Sequence, residues 1–213
     1  MKLLQSLGAA PDNIVMCDSK GVVHTGRDDL NPQKQEFAID TDLRTLSDAM
    51  AGADVFIGVS GPGLVSQDMV RSMAPNPVVF ALANPTPEIL PEEAHAVRDD
   101  VIMATGRSDY PNQVNNVLCF PFLFRGALDV RSRSINHEMQ IAAAHAIADL
   151  ARQPVPEVVK DAYDMQDISF GPNYILPTPL DPRLSDFVSP AVAAAAVDSG
   201  AARTGYPAHY PKR

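Results

Sequence analysis

"VVFALANPTPEIL", Val78 to Leu90, is the stretch on which the fold turns. Val78 to Ala83 is apolar without a break; the run then stops at Asn84-Pro85, and Pro87 follows. A short, continuous apolar run closed by turn residues is the pattern of a strand buried on both faces. Asn84 then has two readings. Asn-Pro commonly starts a turn, but the carboxyl end of a buried strand is also where open α/β sheets bind ligands.

Outward from this stretch, strand and helix patterns alternate. "IVMCD", Ile14 to Asp18, reads as a strand, as do "DVFIGVS", Asp54 to Ser60, and "VIMATG", Val101 to Gly106. Between them lie helical patterns. Lys2 to Leu7 is stopped by Gly8 and Pro11. "TDLRTLSDAMAGA" has Thr41 as its expected N-cap. Ser66 to Met73 forms another, and "PEEAHAVRD" opens with proline and two acids, suited to a first helical turn. Buried strands alternating with helices imply a parallel sheet covered on both faces, the Rossmann-like doubly wound α/β class.

From Asn115 onward the chain reads as mainly helical: Val117 to Val130, then "NHEMQIAAAHAIADLAR", then "SPAVAAAAVDSG". The intervening "FGPNYILPTPLDPR" is too rich in proline for regular structure. The expected division is a Rossmann-type domain over 1–130, a helical extension over 131–202 and a tail or linker stub over 203–213.

The 213 residues, 46% hydrophobic and 20% charged, are ordinary for a globular chain. A net charge of −9 argues against nucleic acid or an anionic membrane as the main partner. Cys17 and Cys119 are expected to be reduced core thiols. No apolar run approaches the ~20 residues of a membrane span, and the N-terminus lacks the pattern of a signal peptide, so the expectation is a soluble, cytoplasmic protein.

A glycine loop is conspicuously missing. In dinucleotide-binding folds G-x-G-x-x-G follows the first strand, and an acid ~20 residues later meets the adenosine ribose. Asp18, closing its strand, occupies the place of that acid. Counting back passes Met1, and the sequence contains no G-x-G-x-x-G. The expectation is a chain that begins inside the first helix, one strand and one glycine loop late. The alternative is a smaller α/β domain that never had the loop.

The strand ends carry a consistent set of polar groups: Asp18-Ser19-Lys20, Ser60-Gly61-Pro62-Gly63, Asn84-Pro85, Thr105-Gly106-Arg107, and then Gln113 to Asn116. Small residues at 60 to 63 let backbone N–H groups approach a ligand. Asn115 and Asn116 are placed equally well to cap a helix. Asp18 favours the free ribose 2′-hydroxyl of NAD, whereas Lys20, Arg27 and Lys34 supply the positive charge a 2′-phosphate needs. His137 and His145 stand eight apart, unlike the i, i+4 histidines of a zinc-binding H-E-x-x-H helix. No G-x-S-x-G elbow or phosphate-binding P-loop occurs.

Taken together, "DSKGVVHTGR" from Asp18, "DLNPQKQEFA" from Asp29, "ADVFIGVSGPG" from Ala53, "VFALANPTPEI" from Val79, "MATGRSDYPNQVNNVLCFPFLFRGALDV" from Met103 and "INHEMQIAAAHAIADLA" from Ile135 resemble the C-terminal, cofactor-binding domain of malic enzymes. The likeness runs from Leu3 to about Ala202. "PLDPRLSDFVSPAVAAAAVDSGAA" is similar to the end of the malic part in the bacterial type that continues into a phosphotransacetylase-like domain.

The resemblance implies a cofactor of NADP, with NAD as the alternative. Asn84 and Asn116 would hold malate near the nicotinamide. Asn115, Val59, Ser60 and Gly61 would contact the cofactor, Asp18, Ser19 and Lys20 its adenosine ribose, and Lys34 its 2′-phosphate. The implied reaction is hydride transfer from C2 of malate, then loss of CO₂ assisted by Mg²⁺ or Mn²⁺, giving pyruvate. The resemblance also implies a homo-oligomer in the complete enzyme. The family's tyrosine acid, lysine base and metal-binding acids have no match here, so no catalytic or metal-binding residue is assigned and the chain alone is expected to be inactive. Two other readings remain: a binding module with the fold but not the chemistry, and a different dehydrogenase of the same architecture.

Overall fold

Three apolar runs become the three strands of one parallel sheet in the computed structural model, which describes residues 1–164 and 167–211. They are β3 (Val55–Gly58), β4 (Val78–Ala81) and β5 (Ile102–Thr105), in that spatial order. β3 and β4 run parallel in the register Val55↔Val78 to Gly58↔Ala81. The crossover between them carries α4 (Gln67–Ser72), and that from β4 to β5 carries α5 (Pro91–His95). This is the Rossmann-like α/β class expected from the sequence.

The chain divides into two compact units, Met1–Ile102 and Met103–Arg213, the division falling within β5. In the first unit, α1 (Lys2–Ser6) ends before Gly8, which adopts φ +103°. The run Ile14 to Asp18, expected to be a strand of the parallel sheet, departs from that expectation. Only Cys17–Asp18 (β1) is strand, paired antiparallel with β2 (Gly21–Val22) in a separate ribbon. Strand formation depends on a hydrogen-bonding neighbour, and the one β1 finds is the next turn of its own chain. The short α2 (Pro32–Gln35) follows, capped by Asn31.

α3 (Leu46–Met50) starts later than expected. Thr45, not Thr41, is its N-cap, in a reciprocal capping box with Asp48. Thr45 has the acid three residues on that Thr41 lacks; the Thr41 hydroxyl instead accepts from the Leu43 N–H at 3.2 Å. Val70, Met73, Val79, Ala81, Ile89 and Ala94 are buried in this unit.

In the second unit, α6 (Phe122–Asp129), α7 (His137–Ala151) and α9 (Leu184–Asp198) share one core, with Met139, Leu150, Leu184, Val188 and Val192 fully buried. Gly126 makes the approach of α6 to α9 close: a Cβ there would lie 2.4 Å from the Ser189 carbonyl oxygen. Expected as one helix from Val117, the first segment is split by Pro121 into a 3-10 turn (Asn116–Leu118) and α6. α9 begins ahead of Ser189 and carries Pro190 inside it. α8 (Glu157–Tyr163) was not expected. Residues of the 203–211 segment join this core. Tyr206 and Tyr210 pack against it, and the Tyr210 hydroxyl donates to Asp129 at 2.5 Å.

Candidate functional site

Asp18 anchors the first unit's polar cluster. The guanidinium of Arg27 donates to both of its oxygens, Nη1 at 2.9 Å and Nη2 at 3.1 Å. Lys34 Nζ adds a contact at 2.5 Å and the Lys20 N–H another at 2.9 Å. Arg27 also bonds Asp29, as does Lys20 Nζ at 2.6 Å. Hydrogen bonding from Arg27, then Lys34 and the Lys20 amide, holds the Asp18 carboxyl well below the usual carboxylate range against the opposing effect of burial. Three cations thus meet two carboxylates. The acid that from sequence alone favoured a free ribose hydroxyl is already paired, and Lys20 and Lys34 stay partly exposed around it.

Asp18, Ser19, Lys20, Val59, Ser60 and Gly61 all line one cleft of about 860 Å³, so the structure brings six of the sequence-derived residues together. Leu46, Ala49 and Met50 of α3 and Val55 and Ile57 of β3 supply apolar wall. Lys34 is tied to this cleft through Asp18.

The exits of β3 and β4 are joined by a residue the sequence reading missed. Glu88 is fully buried, yet its carboxyl accepts from the Ser60 N–H at 2.9 Å through Oε1 and from the Ala83 N–H at 3.0 Å through Oε2. The Gly63 and Val65 N–H groups donate to the carbonyls of Pro87 and Glu88, at 3.2 and 3.0 Å. The Ser60 turn and the Asn84 turn are therefore one hydrogen-bonded assembly. Gly58 makes room for it: a Cβ there would lie 2.6 Å from Glu88 Oε1. A lone acid inside the apolar "PTPEIL" was the available signal, since an acid there needs buried donors. Asn84 itself is exposed at the lip of this assembly, with a cis peptide bond to Pro85.

Asn115 and Asn116 belong to the second unit. The Asn115 side chain caps the 3-10 turn, Oδ1 accepting from the Val117 N–H at 3.1 Å and leaving its amide nitrogen to donate elsewhere; Asn116 is exposed. The buried asparagine there is Asn112, also unmarked by sequence. At φ +56° it donates to the carbonyls of Met103 (2.9 Å) and Pro172 (2.7 Å) and accepts from the Ile175 N–H (2.8 Å). Its work is structural. Cys17 and Cys119 are free thiols, each pushed up in pKa by burial. No group of three or more His, Cys, Asp or Glu among the described residues is placed to hold a metal ion. Among the same residues, no helix is long and apolar enough to cross a membrane.

Residues 4–170 match the family model described as "Malic enzyme, NAD binding domain". The NADP-dependent malic enzyme of Halomonas elongata is 65% identical over 211 residues, covering 99% of this chain and 50% of that protein. That of Escherichia coli is 57% identical over 204 residues, covering 95% of this chain and 27% of that protein. The NAD-dependent malic enzyme of Rhizobium meliloti is 50% identical, with 95% and 26% coverage. The crystal structure of Entamoeba histolytica malic enzyme superposes with a TM-score of 0.81 at 38% identity, covering 96% of this chain and 41% of that one. The chain thus spans between about a quarter and a half of the curated relatives it matches. With residues 4–170 matched by one family model and 99% of its length by a relative 65% identical, the chain belongs to the malic enzymes and corresponds to their NAD-binding domain.

Proposed function

We propose that this chain is the cofactor-binding part of an NADP-preferring malic enzyme, which oxidises malate at C2 and releases CO₂ and pyruvate. The observation that carries the cofactor choice is the pairing of Asp18 with Arg27 and Lys34. An unpaired Asp18 would repel a 2′-phosphate; a paired one, ringed by Lys20 and Lys34, leaves the cluster with surplus positive charge. Ser19 and the Ser60-Gly61 turn offer the ribose and the nicotinamide half a polar, close-fitting wall, with Val59 and Asn115 as further contacts. NAD is the weaker alternative.

Asn84 and Asn116 are assigned to malate, donating amide hydrogens to its oxygens. The nicotinamide cofactor supplies the hydride acceptor; these residues orient and bind. For the divalent cation, Mg²⁺ or Mn²⁺, the described residues offer no group of three or more His, Cys, Asp or Glu. The complete enzyme is taken to be a cytoplasmic homo-oligomer.

The test uses a polypeptide that contains these residues and forms NADPH from malate. Asn84→Ala and Asn116→Ala are each expected to lower kcat/KM for malate about 10- to 100-fold, the worth of a hydrogen bond to a charged group. NADP affinity should hold. Unchanged malate kinetics in both variants would refute the assignment. The 213 residues alone are expected to form no NADPH.

A further inference from the structure

The β3–β4 ladder stops where the two polar turns begin. Its last bond runs from the Leu82 N–H to the Gly58 carbonyl at 3.0 Å. Just beyond it one side chain takes over from the backbone. The Ser60 and Ala83 amides both donate to the Glu88 carboxyl, at 2.9 and 3.0 Å, and the Ser60 hydroxyl reaches Oε1 at 3.5 Å. Glu88 is fully buried, whereas Ser60 and Asn84, the residue after Ala83, are exposed. Asp181, the other buried acid among the described residues, is paired with Arg183 at 2.7 Å. Glu88 meets no cation among the described residues and is held by peptide N–H groups instead. A buried acid without a counter-charge is a costly way to stabilise a fold, and an apolar side chain of similar size would fill the space at less cost. What the carboxyl does that an apolar group cannot is to fix two strand exits relative to each other.

We propose that Glu88 is a positioning residue for malate oxidation: by holding the Ser60 amide and the Ala83–Asn84 segment on one carboxyl, it sets the cofactor turn and the malate-binding amide at a fixed distance. The inference rests on the assignment of Ser60 and Gly61 to the cofactor and of Asn84 to malate. Hydride transfer needs its two carbons in near-attack geometry, and a misplacement of about 1 Å can cost on the order of 10²-fold in rate. Residues that touch the reactants keep such geometry only when a supporting shell locks them. Glu88 is walled off from solvent, so it acts through Ser60 and Asn84 rather than on either ligand. Its bonds span 28 residues to Ser60 and 5 to Ala83, so the two turns cannot drift independently while both are made. Gly58 leaves the carboxyl its place, since a Cβ there would lie 2.5 Å from the Glu88 carboxyl carbon.

The experiment is a double-mutant cycle in a polypeptide that contains these residues and forms NADPH from malate, assayed well below its melting transition. Glu88→Gln keeps the size of the side chain but leaves one of the two amides unpaired. It should lower kcat at least tenfold while the dissociation constant for NADP alone stays within about threefold of wild type. In an Asn84→Ala background, where no amide is left to position, the same substitution should lower kcat/KM for malate by no more than about threefold. Gly58→Ala, which presses on the carboxyl from β3, should give the same pattern and serves in its place if Glu88→Gln does not fold. An unchanged kcat, a fall in kcat matched by an equal loss of NADP binding, or equal factors in both backgrounds overturns the inference, the last marking Glu88 as a support of the fold alone. Malate kinetics untouched by Asn84→Ala itself would overturn the malate assignment and the inference with it.

Discussion

Replacing Glu88 by glutamine tests how the turns at the exits of β3 and β4 are held. Glu88 is fully buried and its two carboxyl oxygens each accept one backbone N–H, from Ser60 and from Ala83, at 2.9 and 3.0 Å. Glutamine keeps the shape but turns one acceptor into a donor. In either amide orientation one of the two backbone N–H groups then faces an NH₂ and stays unsatisfied, at a cost of about 1–3 kcal/mol. At roughly 2–4 °C per kcal/mol for a chain of this size, Tm should fall by about 4–8 °C for a loss near 2 kcal/mol. Calorimetry and chemical denaturation measure this directly, and hydrogen exchange at Ser60 and Ala83 should quicken in the same variant. A second substitution checks the locus. Gly58→Ala drives a Cβ against the Glu88 carboxyl, so it should be destabilising in the wild type and much less so in a Glu88→Ala background. A Glu88→Gln protein as stable as wild type, or a Gly58→Ala cost independent of Glu88, would refute the reasoning.

Asp18 and Asp29 are both held below the usual carboxylate range, each chiefly by hydrogen bonds from Arg27, so their contribution is present above the unfolded value of about 4 and is lost as pH falls further. Denaturation between neutral and acid pH should show that loss, and Arg27→Met should shrink it. Tyr210 moves the other way: burial and its bond to Asp129 push its hydroxyl up to about 12. Its contribution is present below the unfolded value of about 10 and lost as pH climbs toward 12, a dependence that Tyr210→Phe should remove. Phenolate absorbance during alkaline titration reads it. Asn112→Ala should cost about 2–4 kcal/mol, since it strips three hydrogen bonds and leaves a β-carbon at positive φ. Asn112→Gly should recover only the backbone part.

Much of this architecture is written locally. The runs at Val55, Val78 and Ile102 declare strands because each is apolar and bounded by glycine, proline or asparagine, and Ser66 and Asn136 announce their helices as N-caps. Ile14 to Asp18 looks the same in composition, but pairing is non-local, and only two of its residues find a ladder. Thr41 and Thr45 differ by whether an acid follows at the third position. On the candidate site, Asp18, Lys20 and Lys34 were legible as charges at a strand end. Their pairing was not, because which cation reaches which carboxylate is decided by the loop that brings Arg27 back onto Asp18. Glu88 was hidden for a related reason: its donors lie 5 and 28 residues away in sequence.

The most direct test is a nuclear magnetic resonance titration of this chain with NADP and, separately, NAD, in the wild type and in Lys34→Ala. NADP should shift the amide signals of Asp18, Ser19, Lys20, Lys34, Ser60 and Gly61 at lower concentration than NAD, and Lys34→Ala should erase that difference while leaving the response to NAD intact. Equal responses to the two nucleotides in the wild type, or shifts confined to residues away from the Asp18 cluster, would contradict the account.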